Sequence, residues 1–198
     1  MKLNWAERLM VNNPVRPMIQ RGLIRWSQGL MALEPGARVL EIGCGRGAGA
    51  SLLLREFEPG LLHLMDLDFR MIQQARAYLS QSQRKRMFLY VADVLALPYG
   101  DGALDAIFGF GVLHHVPDWR AALAEIARVL RPGGRYFLEE FYPPLYLNFL
   151  ARRLFLHPHH DRFFSHDLHG ALRDLGFSLR GALEQKKLGI LAVAARER

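Results

Sequence analysis

The sequence predicts an α/β protein of three layers: a doubly wound, mostly parallel seven-stranded sheet with an antiparallel C-terminal strand, together with N-terminal helices and a lid segment. Three observations support this fold class. Short apolar runs alternate with helical stretches, which is typical of parallel sheets covered by helices on both faces. A glycine-rich turn, Gly43–Gly47, separates the first apolar run from the next helical stretch. Asp66 and Asp68 then follow about 20 residues later, at the end of a second apolar run.

The N-terminal region, residues 1–36, is predicted to form a helical cap. Its apolar residues recur at roughly helical spacing, and Pro14 and Pro17 are expected to break the stretch into one or two amphipathic helices. The pair Pro35-Gly36 is a turn signal that opens the first strand, residues 38–42.

Residues 37–141 are predicted to form the core by strand–helix alternation. Asp118 is expected to cap the N-terminus of one helix, and Gly176 is expected to end the last helix as its C′ glycine. The predicted strands are 38–42, 61–66, 87–92, 105–110, 136–141, 177–184 and 188–195, the last two forming a hairpin, and the predicted helices are 47–57, 69–82, 119–130 and 167–175.

One segment, residues 142–166, departs from the alternation. It is aromatic, basic and interrupted by prolines, and it leaves the sheet at the carboxyl end of the fifth strand. Ligands bind at that edge in open α/β sheets, so we expect this insertion to be a lid over the substrate site. Residues 167–198 complete a single domain with the C-terminal helix and the closing strands.

Composition restricts the class of protein. A chain of 198 residues is expected to fold as one domain with a sizeable core. The single cysteine, Cys44, excludes a disulfide framework and a Cys-rich zinc site, and it fits a reducing compartment. No apolar run approaches the roughly 18 residues of a membrane span, and the N-terminus does not resemble a secretory signal. A cytoplasmic location is therefore expected.

The net charge of +7 has two interpretations. A basic face could attract anionic lipid or nucleic acid. Alternatively, the arginines are spread over an ordinary solvated surface. No block of five or more basic residues occurs, which favours the second interpretation.

Four predicted strand ends carry groups that suit a nucleoside ligand. The Gly43–Gly47 turn allows a close backbone approach and directs the free N–H groups of the following helix toward the ligand. Asp66 can accept hydrogen bonds from both ribose hydroxyls, and Asp93 can accept one from an exocyclic amine. The stretch Gly109–Gly111 leaves carbonyl groups open to a cationic amine.

Each acid could instead be a helix N-cap or part of a surface turn. For Asp68, which directly precedes the predicted helix 69–82, the N-cap is favoured. For Asp66 and Asp93 the ligand role is favoured, because the two acids stand at consecutive strand ends.

The chain resembles class I S-adenosylmethionine (SAM)-dependent methyltransferases over about residues 37–141. The resemblance rests on six segments that occur in the family's order: Val39–Gly47, Met65–Asp68, Ala92–Tyr99, Leu104–Ile107, Leu113–Val116 and Val129–Gly134. Within the family, the stretches Ile107–Gly111 and Leu138–Phe141 resemble the ubiquinone/menaquinone-type branch, whereas residues 1–36 and the pair His114-His115 depart from it.

The resemblance implies SAM as cofactor and S-adenosylhomocysteine as product. It implies that Glu41, the glycine loop and nearby carbonyl groups hold the methionine part, that Asp66 binds the ribose, and that Asp93 with Val94 binds the adenine. The implied cofactor-binding residues are Glu41, Gly43, Cys44, Gly45, Gly47, Asp66, Leu67, Asp93, Val94, Gly109 and Phe110. The glycine spacing differs from the dinucleotide pattern G-x-G-x-x-G, which weighs against a nicotinamide dehydrogenase.

Methyl transfer from a sulfonium needs alignment rather than a protein nucleophile, and it needs a general base only when the acceptor is protonated. His115 is the most plausible base; alternatively, His114 and His115 form a packed pair beneath the cofactor. No catalytic residue is assigned. The later histidines match no tight ligand motif, so no metal site is predicted; they are His157, His159, His160, His166 and His169.

The predicted acceptor is a small hydrophobic molecule of lipid-like or quinone-like character, because the lid is aromatic and the N-terminal helices are apolar. Arginines on those helices also suggest peripheral contact with an anionic membrane. Nucleic-acid base methylation is not expected, because Gly109–Gly111 stands where such enzymes carry an Asn/Asp-Pro-Pro-aromatic loop. The alternatives are an RNA or protein methyltransferase and a SAM-binding module without turnover. The sequence predicts no oligomeric state.

Overall fold

The computed structural model describes residue 13, residues 16–146 and residues 160–197, and its architecture is α/β with a seven-stranded sheet. The strands are β1 (Arg38–Ile42), β2 (Leu61–Asp66), β3 (Met87–Val91), β4 (Leu104–Phe110), β5 (Leu130–Phe141), β6 (Phe177–Gln185) and β7 (Gly189–Arg196). The described helices are α1 (Arg16–Leu30), α2 (Ala48–Glu56), α3 (Phe69–Tyr78), α4 (Gln81–Arg84), α5 (Trp119–Val129), α6 (Pro143–Tyr146) and α7 (Ser165–Asp174), with a 3₁₀ helix at Leu113–His115.

The strand order, β3-β2-β1-β4-β5-β7-β6, determines where a ligand can bind. Strand β7 is antiparallel to both neighbours, and the other pairs are parallel, as the sequence predicts. The chain order reverses between β1 and β4, which is the switch point where doubly wound folds bind ligands. Ile42 at the end of β1 is level with Met65 of β2 and Gly109 of β4, so these strands end at one edge.

Both faces of the sheet are buried, which explains why the central strands are apolar at nearly every position. Successive β1 side chains point to opposite faces. Leu40 joins a core cluster with α5 and α7, whereas Val39 joins the cluster on the other face with α1, α2 and α3. In that second cluster the rings of Phe108 and Phe137 stack with their centroids 4.2 Å apart.

The predicted helix 69–82 is in fact two helices. Helix α3 ends at Tyr78, and Leu79 has an extended backbone. Ser80 then begins α4 with a capping box in which its hydroxyl accepts from the Gln83 N–H. Serine competes well with helical backbone bonds when it can cap a new helix, and this explains the break.

The fifth strand begins earlier than predicted, at Leu130 rather than at residue 136. Leu130 pairs with Leu104 of β4, and the register shifts between Leu104 and Ala106. This irregularity accommodates the Pro132-Gly133 stretch, because a strand that carries proline needs a bulge or a free edge.

Helix α1 begins at Arg16, so Pro17 lies in its first turn, where the missing N–H costs little. The earlier part of the predicted cap, residues 1–12, lies outside the described residues. The lid segment is described only at its ends. Tyr142 and Phe163 there are buried, and residues 147–159 are outside the described part. None of the described helices has the length and apolar character needed to cross a bilayer.

Candidate functional site

A cavity of about 370 Å³ opens at the carboxyl ends of β1, β2 and β4. This volume suits a small organic ligand. Most of the predicted cofactor-binding residues line it, namely Glu41, Gly43, Cys44, Gly45, Asp66, Leu67, Asp93, Val94 and Phe110. The topology therefore brings together residues that are up to 69 positions apart in the chain, from Glu41 to Phe110.

Gly47 and Gly109, also predicted to bind the cofactor, do not line the cavity. A Cβ on Gly47 would meet the side chains of Leu79 and Ala75, so this glycine allows α3 to pack closely. Gly109 lies within β4 and faces Ile42 and Tyr136 in the same way. Both glycines shape the walls of the site by close packing.

The first turn after β1 leaves space for a ligand because side chains are absent there. Gly43 has φ +62, and a Cβ there would lie 2.7 Å from Cγ2 of Val112 in the loop after β4. A Cβ on Gly49 would collide with the carboxylate of Glu41. The two glycines thus let β1, the β4 loop and the start of α2 approach one another. Gly43 also has left-handed backbone, which glycine adopts without strain.

Glu41 is the most unusual ionisable group in the cavity. Its side chain is buried, and its Oε2 has no hydrogen-bond partner within the part of the chain that the structure describes. Burial, and secondarily the neighbouring Asp66 charge, raises the pKa of Glu41 to about 8. A buried carboxylate without a partner is costly, so this group is suited to meet a cation.

Two backbone N–H groups, one in the glycine turn and one just after β2, hold the Asp66 carboxylate. Its Oδ2 accepts from the Gly45 N–H at 3.0 Å and its Oδ1 from the Asp68 N–H at 2.8 Å. Burial raises the pKa of Asp66, and these two bonds oppose that effect. A carboxylate offers about four acceptor positions, so two remain for a ligand. Asp68 accepts from the Arg70 N–H and caps α3, as predicted.

Asp93 and Val94 form the far end of the cavity, just beyond β3. Oδ1 of Asp93 accepts from the Leu95 N–H at 3.0 Å, whereas its side chain stays exposed. Val94 is buried and Leu67 is half-exposed at the same end. Apolar side chains next to an exposed carboxylate suit a flat heterocycle that carries an amine.

Helix α1 closes the end of the cavity that lies next to β4. Arg16 donates from Nη2 to Glu139 Oε2 at 3.2 Å and to the Phe110 carbonyl at 3.4 Å. Burial raises the pKa of Glu139, and the Arg16 charge counteracts this. Gln20, one turn later, is buried and lines the cavity too.

A second buried glutamate, Glu140, organises the loop after β4. Its Oε1 accepts from the N–H groups of Val112 and Leu113 at 3.1 and 2.8 Å. Its Oε2 accepts from the His114 backbone at 3.2 Å and pairs with His114 Nδ1 at 2.8 Å. One fully buried carboxylate therefore fixes both the 3₁₀ helix and the orientation of an imidazole.

His115, the base considered from the sequence, also lines the cavity, and its ring centroid is 4.3 Å from that of His114. Glu140 orients His114 and not His115. From the other side, Arg162 donates to the carbonyl groups of the same loop, those of His114, Val116 and Pro117. The two histidines thus sit on a loop that is held at both ends.

The acceptor groups of the cavity fit an adenosyl amino acid. Glu41 is buried and its Oε2 has no partner among the described residues, Asp66 has spare acceptor positions, and the exposed Asp93 carboxylate lies beside apolar side chains. Among the residues that the structure describes, no group of three or more His, Cys, Asp and Glu side chains is arranged to hold a metal ion.

Sequence reasoning did not identify several lining residues. They include Arg16, Gln20, Arg46, Gly49, Val112 and Phe141. Gly49 could have been noticed, because it extends the glycine series into the helix. Arg16 and Gln20 carry no local signal, because only the packing of α1 on α2 brings them to the site.

Comparisons with known proteins agree with this geometry. The family model described as a methyltransferase domain matches residues 40–138. The chain is similar to the 27-O-demethylrifamycin SV methyltransferase of Amycolatopsis mediterranei, with 35% identity over 57% of this chain and 42% of that protein. It is also similar to the demethylmenaquinone methyltransferase of Thermus thermophilus, with 39% identity over 61% of this chain and 56% of that protein. The chain thus spans about half the length of these curated relatives.

The fold is shared more widely than the sequence. A SAM-dependent methyltransferase from Aquifex aeolicus superimposes with a TM-score of 0.74 at 16% identity, covering 98% of this chain and 100% of the other. At that identity the similarity shows the common architecture.

Proposed function

The chain belongs to the methyltransferase domain family, and from this premise we propose that it is a SAM-dependent methyltransferase acting on a small hydrophobic acceptor of lipid-like or quinone-like character. The observation that carries the proposal is Glu41. A buried carboxylate next to the glycine loop, whose Oε2 has no partner among residues 16–146 and 160–197, matches an ammonium group on the ligand.

Bound SAM would supply an electrophilic methyl group on a sulfonium. The protein residues would bind and orient it: Glu41 would face the ammonium, Asp66 would accept from the ribose hydroxyls, and Asp93 with Val94 would hold the adenine. The reaction needs an in-line approach of the acceptor, so holding the reactants and excluding water carry much of the rate enhancement. No covalent intermediate with the protein is required.

The residues that line the proposed acceptor part of the cavity favour a hydrophobic molecule with a titratable atom. Phe110, Val112 and Phe141 line this part of the cavity beside His114 and His115. If the acceptor is a hydroxyl, an oriented imidazole within reach can take its proton. The two relatives named above act, by their names, on a demethylrifamycin and a demethylmenaquinone. These names agree with a small organic acceptor.

Calorimetry with SAM and S-adenosylhomocysteine tests the cofactor assignment. We expect both to bind, and we expect Asp66→Ala to weaken binding by roughly 1–3 kcal/mol through lost charge-assisted hydrogen bonds. Asp118→Ala is the matched control, because Asp118 caps α5 and its side chain does not line the cavity. Unchanged affinity in a folded Asp66→Ala variant would remove Asp66 from the site.

Mass spectrometry of cell extracts incubated with the protein and SAM tests the acceptor class. We expect a gain of about 14 Da, one methylene, on an organic-soluble small molecule. Labelling confined to RNA or protein fractions would favour the alternative of a macromolecular acceptor, and binding without any transfer would favour a SAM-binding module.

We also propose peripheral contact with anionic membranes. Met18 and Ile19 are exposed on α1, the helix that carries Arg16 and Gln20 to the cavity. Exposed apolar groups on a protein of net charge +7 suit an interfacial contact. We expect salt-sensitive co-sedimentation with vesicles that contain phosphatidylserine, reduced in Met18→Ser and Ile19→Ser. Absence of binding, or binding that salt does not weaken, would count against this contact.

A further inference from the structure

Helix α1 places donors in the cavity that the assignments above do not use. Gln20 is only 6% exposed, it lines the cavity, and its side chain makes no hydrogen bond to any described residue. Its amide therefore has donor and acceptor positions open to a ligand in the cavity. Gln20 thus points to a polar ligand group at this end of the site.

Arg16 presents further donors beside Gln20. Both of its hydrogen bonds, to Glu139 and to the Phe110 carbonyl, use Nη2. Its Nε and Nη1 make no hydrogen bond within the described part of the chain. Because a guanidinium has five N–H donors in a rigid fork, it can bind Glu139 and still offer donors to a second oxyanion. Glu139 therefore holds the guanidinium in place without using all of its donors.

Residues other than Arg16 and Gln20 also hold α1 in place. Arg21 and Arg25 pair with Glu56 of α2 at 3.3 and 3.0 Å, and Ile24 is fully buried in the core. Removal of Arg16 or Gln20 should therefore leave the helix docked. Arg21 supplies a matched control, because it is a cation on the same helix that does not line the cavity, and Arg25 and Ile24 still hold the helix when Arg21 is removed.

The methionine moiety carries both an ammonium and a carboxylate. Glu41 suits the ammonium, but it would repel the carboxylate, which needs donors when it leaves water. Arg46 also lines the cavity; its guanidinium lies over the Tyr78 ring, 5.3 Å from the centroid, and its buried Nε has no hydrogen-bond partner among the described residues. Backbone N–H groups of the glycine turn can also face the ligand. Arg16 and Gln20 add a cation and an amide next to the end of β4, where Glu139 holds the guanidinium in place.

We propose that Arg16 and Gln20 bind the carboxylate of the methionine moiety of the cofactor, and that Glu139 is a positioning residue that orients Arg16. This inference rests on the proposed function, because it concerns the same ligand. It makes the N-terminal helix part of the cofactor site.

Calorimetry with two ligands tests the assignment. S-adenosylhomocysteine carries the amino-acid end, and 5′-methylthioadenosine has the same adenosine and thioether without it. We expect Arg16→Ala and Gln20→Ala to weaken S-adenosylhomocysteine binding about tenfold or more, while 5′-methylthioadenosine binding changes less than twofold. Arg16→Lys should recover part of the loss, because lysine keeps the charge without the fork. Arg21→Ala should leave both affinities unchanged.

Two results would overturn the inference while leaving the proposed function standing. One is a parallel loss of both ligands in the α1 variants, which would mean that α1 only shapes the cavity. The other is unchanged S-adenosylhomocysteine affinity in both folded variants. If Arg16→Ala fails to fold in a thermal melt, Gln20→Ala and Arg16→Lys decide the question. Failure of the unaltered protein to bind S-adenosylhomocysteine would instead refute the proposed function.

Discussion

Two buried glutamates of this protein, Glu41 and Glu140, differ in whether hydrogen bonds compensate for their burial. Glu140 accepts three backbone N–H bonds and pairs with an imidazole nitrogen, so its burial is compensated. Glu41 is also buried, yet its Oε2 has no partner among the described residues. Since native proteins rarely leave a buried polar atom unpaired, an unpaired acid that also lines the cavity indicates a ligand position.

The pKa of Glu41 predicts how cofactor binding depends on pH. With a pKa of about 8, the empty site holds the neutral acid at neutral pH, and an ammonium ligand favours the carboxylate. Binding should therefore release a proton. We expect S-adenosylhomocysteine affinity to rise with pH between 6 and 8, with a limiting slope of about tenfold per pH unit, and to level off above 8.

Calorimetry in two buffers of different ionisation enthalpy measures both the affinity and the released proton. The matched variant is Glu41→Gln, which keeps the size of the side chain but cannot ionise. It should bind more weakly above pH 8, and its affinity should lack the rise. An affinity of the unaltered protein that stays flat from pH 6 to 8 would contradict this role of Glu41.

At the scale of single elements, the 3₁₀ helix Leu113–His115 is held at both of its ends by side chains from elsewhere. Glu140 of β5 accepts from the N–H groups at its start, and Arg162 donates to the carbonyl groups at and beyond its end. A short helix leaves most of its backbone groups unpaired, so it depends on such caps. The pair of histidines is positioned by this arrangement.

The substitution Glu140→Gln tests whether Glu140 caps and stabilises the 3₁₀ helix Leu113–His115. The amide keeps one acceptor oxygen but loses the charge that strengthens several bonds at once, so we expect a loss of about 2–3 kcal/mol in the free energy of unfolding. Urea denaturation measures this loss. Glu34→Gln is the control, since Glu34 is exposed, and its change should stay within about 0.5 kcal/mol. Equal effects of the two substitutions would show that Glu140 is not the organising group.

At the scale of the whole molecule, the order of the strands determines where the site lies. Strands β1, β2 and β4 end level with one another, and Arg16 and Gln20 of α1 line the cavity at that edge. A ligand in the cavity therefore contacts most layers of the fold. Ligand binding should consequently stabilise the entire cooperative unit rather than one loop.

A thermal melt measures this coupling. With S-adenosylhomocysteine at 100 times its dissociation constant, the folded state gains about 2.7 kcal/mol. For a chain of this length we expect the Tm to rise by roughly 5–10 °C. Asp66→Ala should show a smaller rise at the same ligand concentration. A Tm that does not respond to saturating ligand would mean that the ligand does not bind the native state.

Much of the fold could be predicted from local patterns. The strand positions follow from short apolar runs, and the ends of α5 and α7 follow from Asp118 and Gly176, because capping and left-handed backbone are decided by one or two residues. The division after Tyr78 and the early start of β5 at Leu130 were missed. After Tyr78 the Ser80 cap outweighed the helical pattern. At Leu130 the pairing with β4 outweighed the turn pattern.

The sequence by itself determined the sheet class, the glycine loop and the carboxylates Asp66 and Asp93 at the strand ends, because these depend on side-chain period and backbone stereochemistry. Only the tertiary structure decided that Gly47 and Gly109 face packed helices and strands, that Glu140 orients His114, and that α1 reaches the cavity. Such pairings join residues many positions apart, so their free energies appear only when strands and helices pack together.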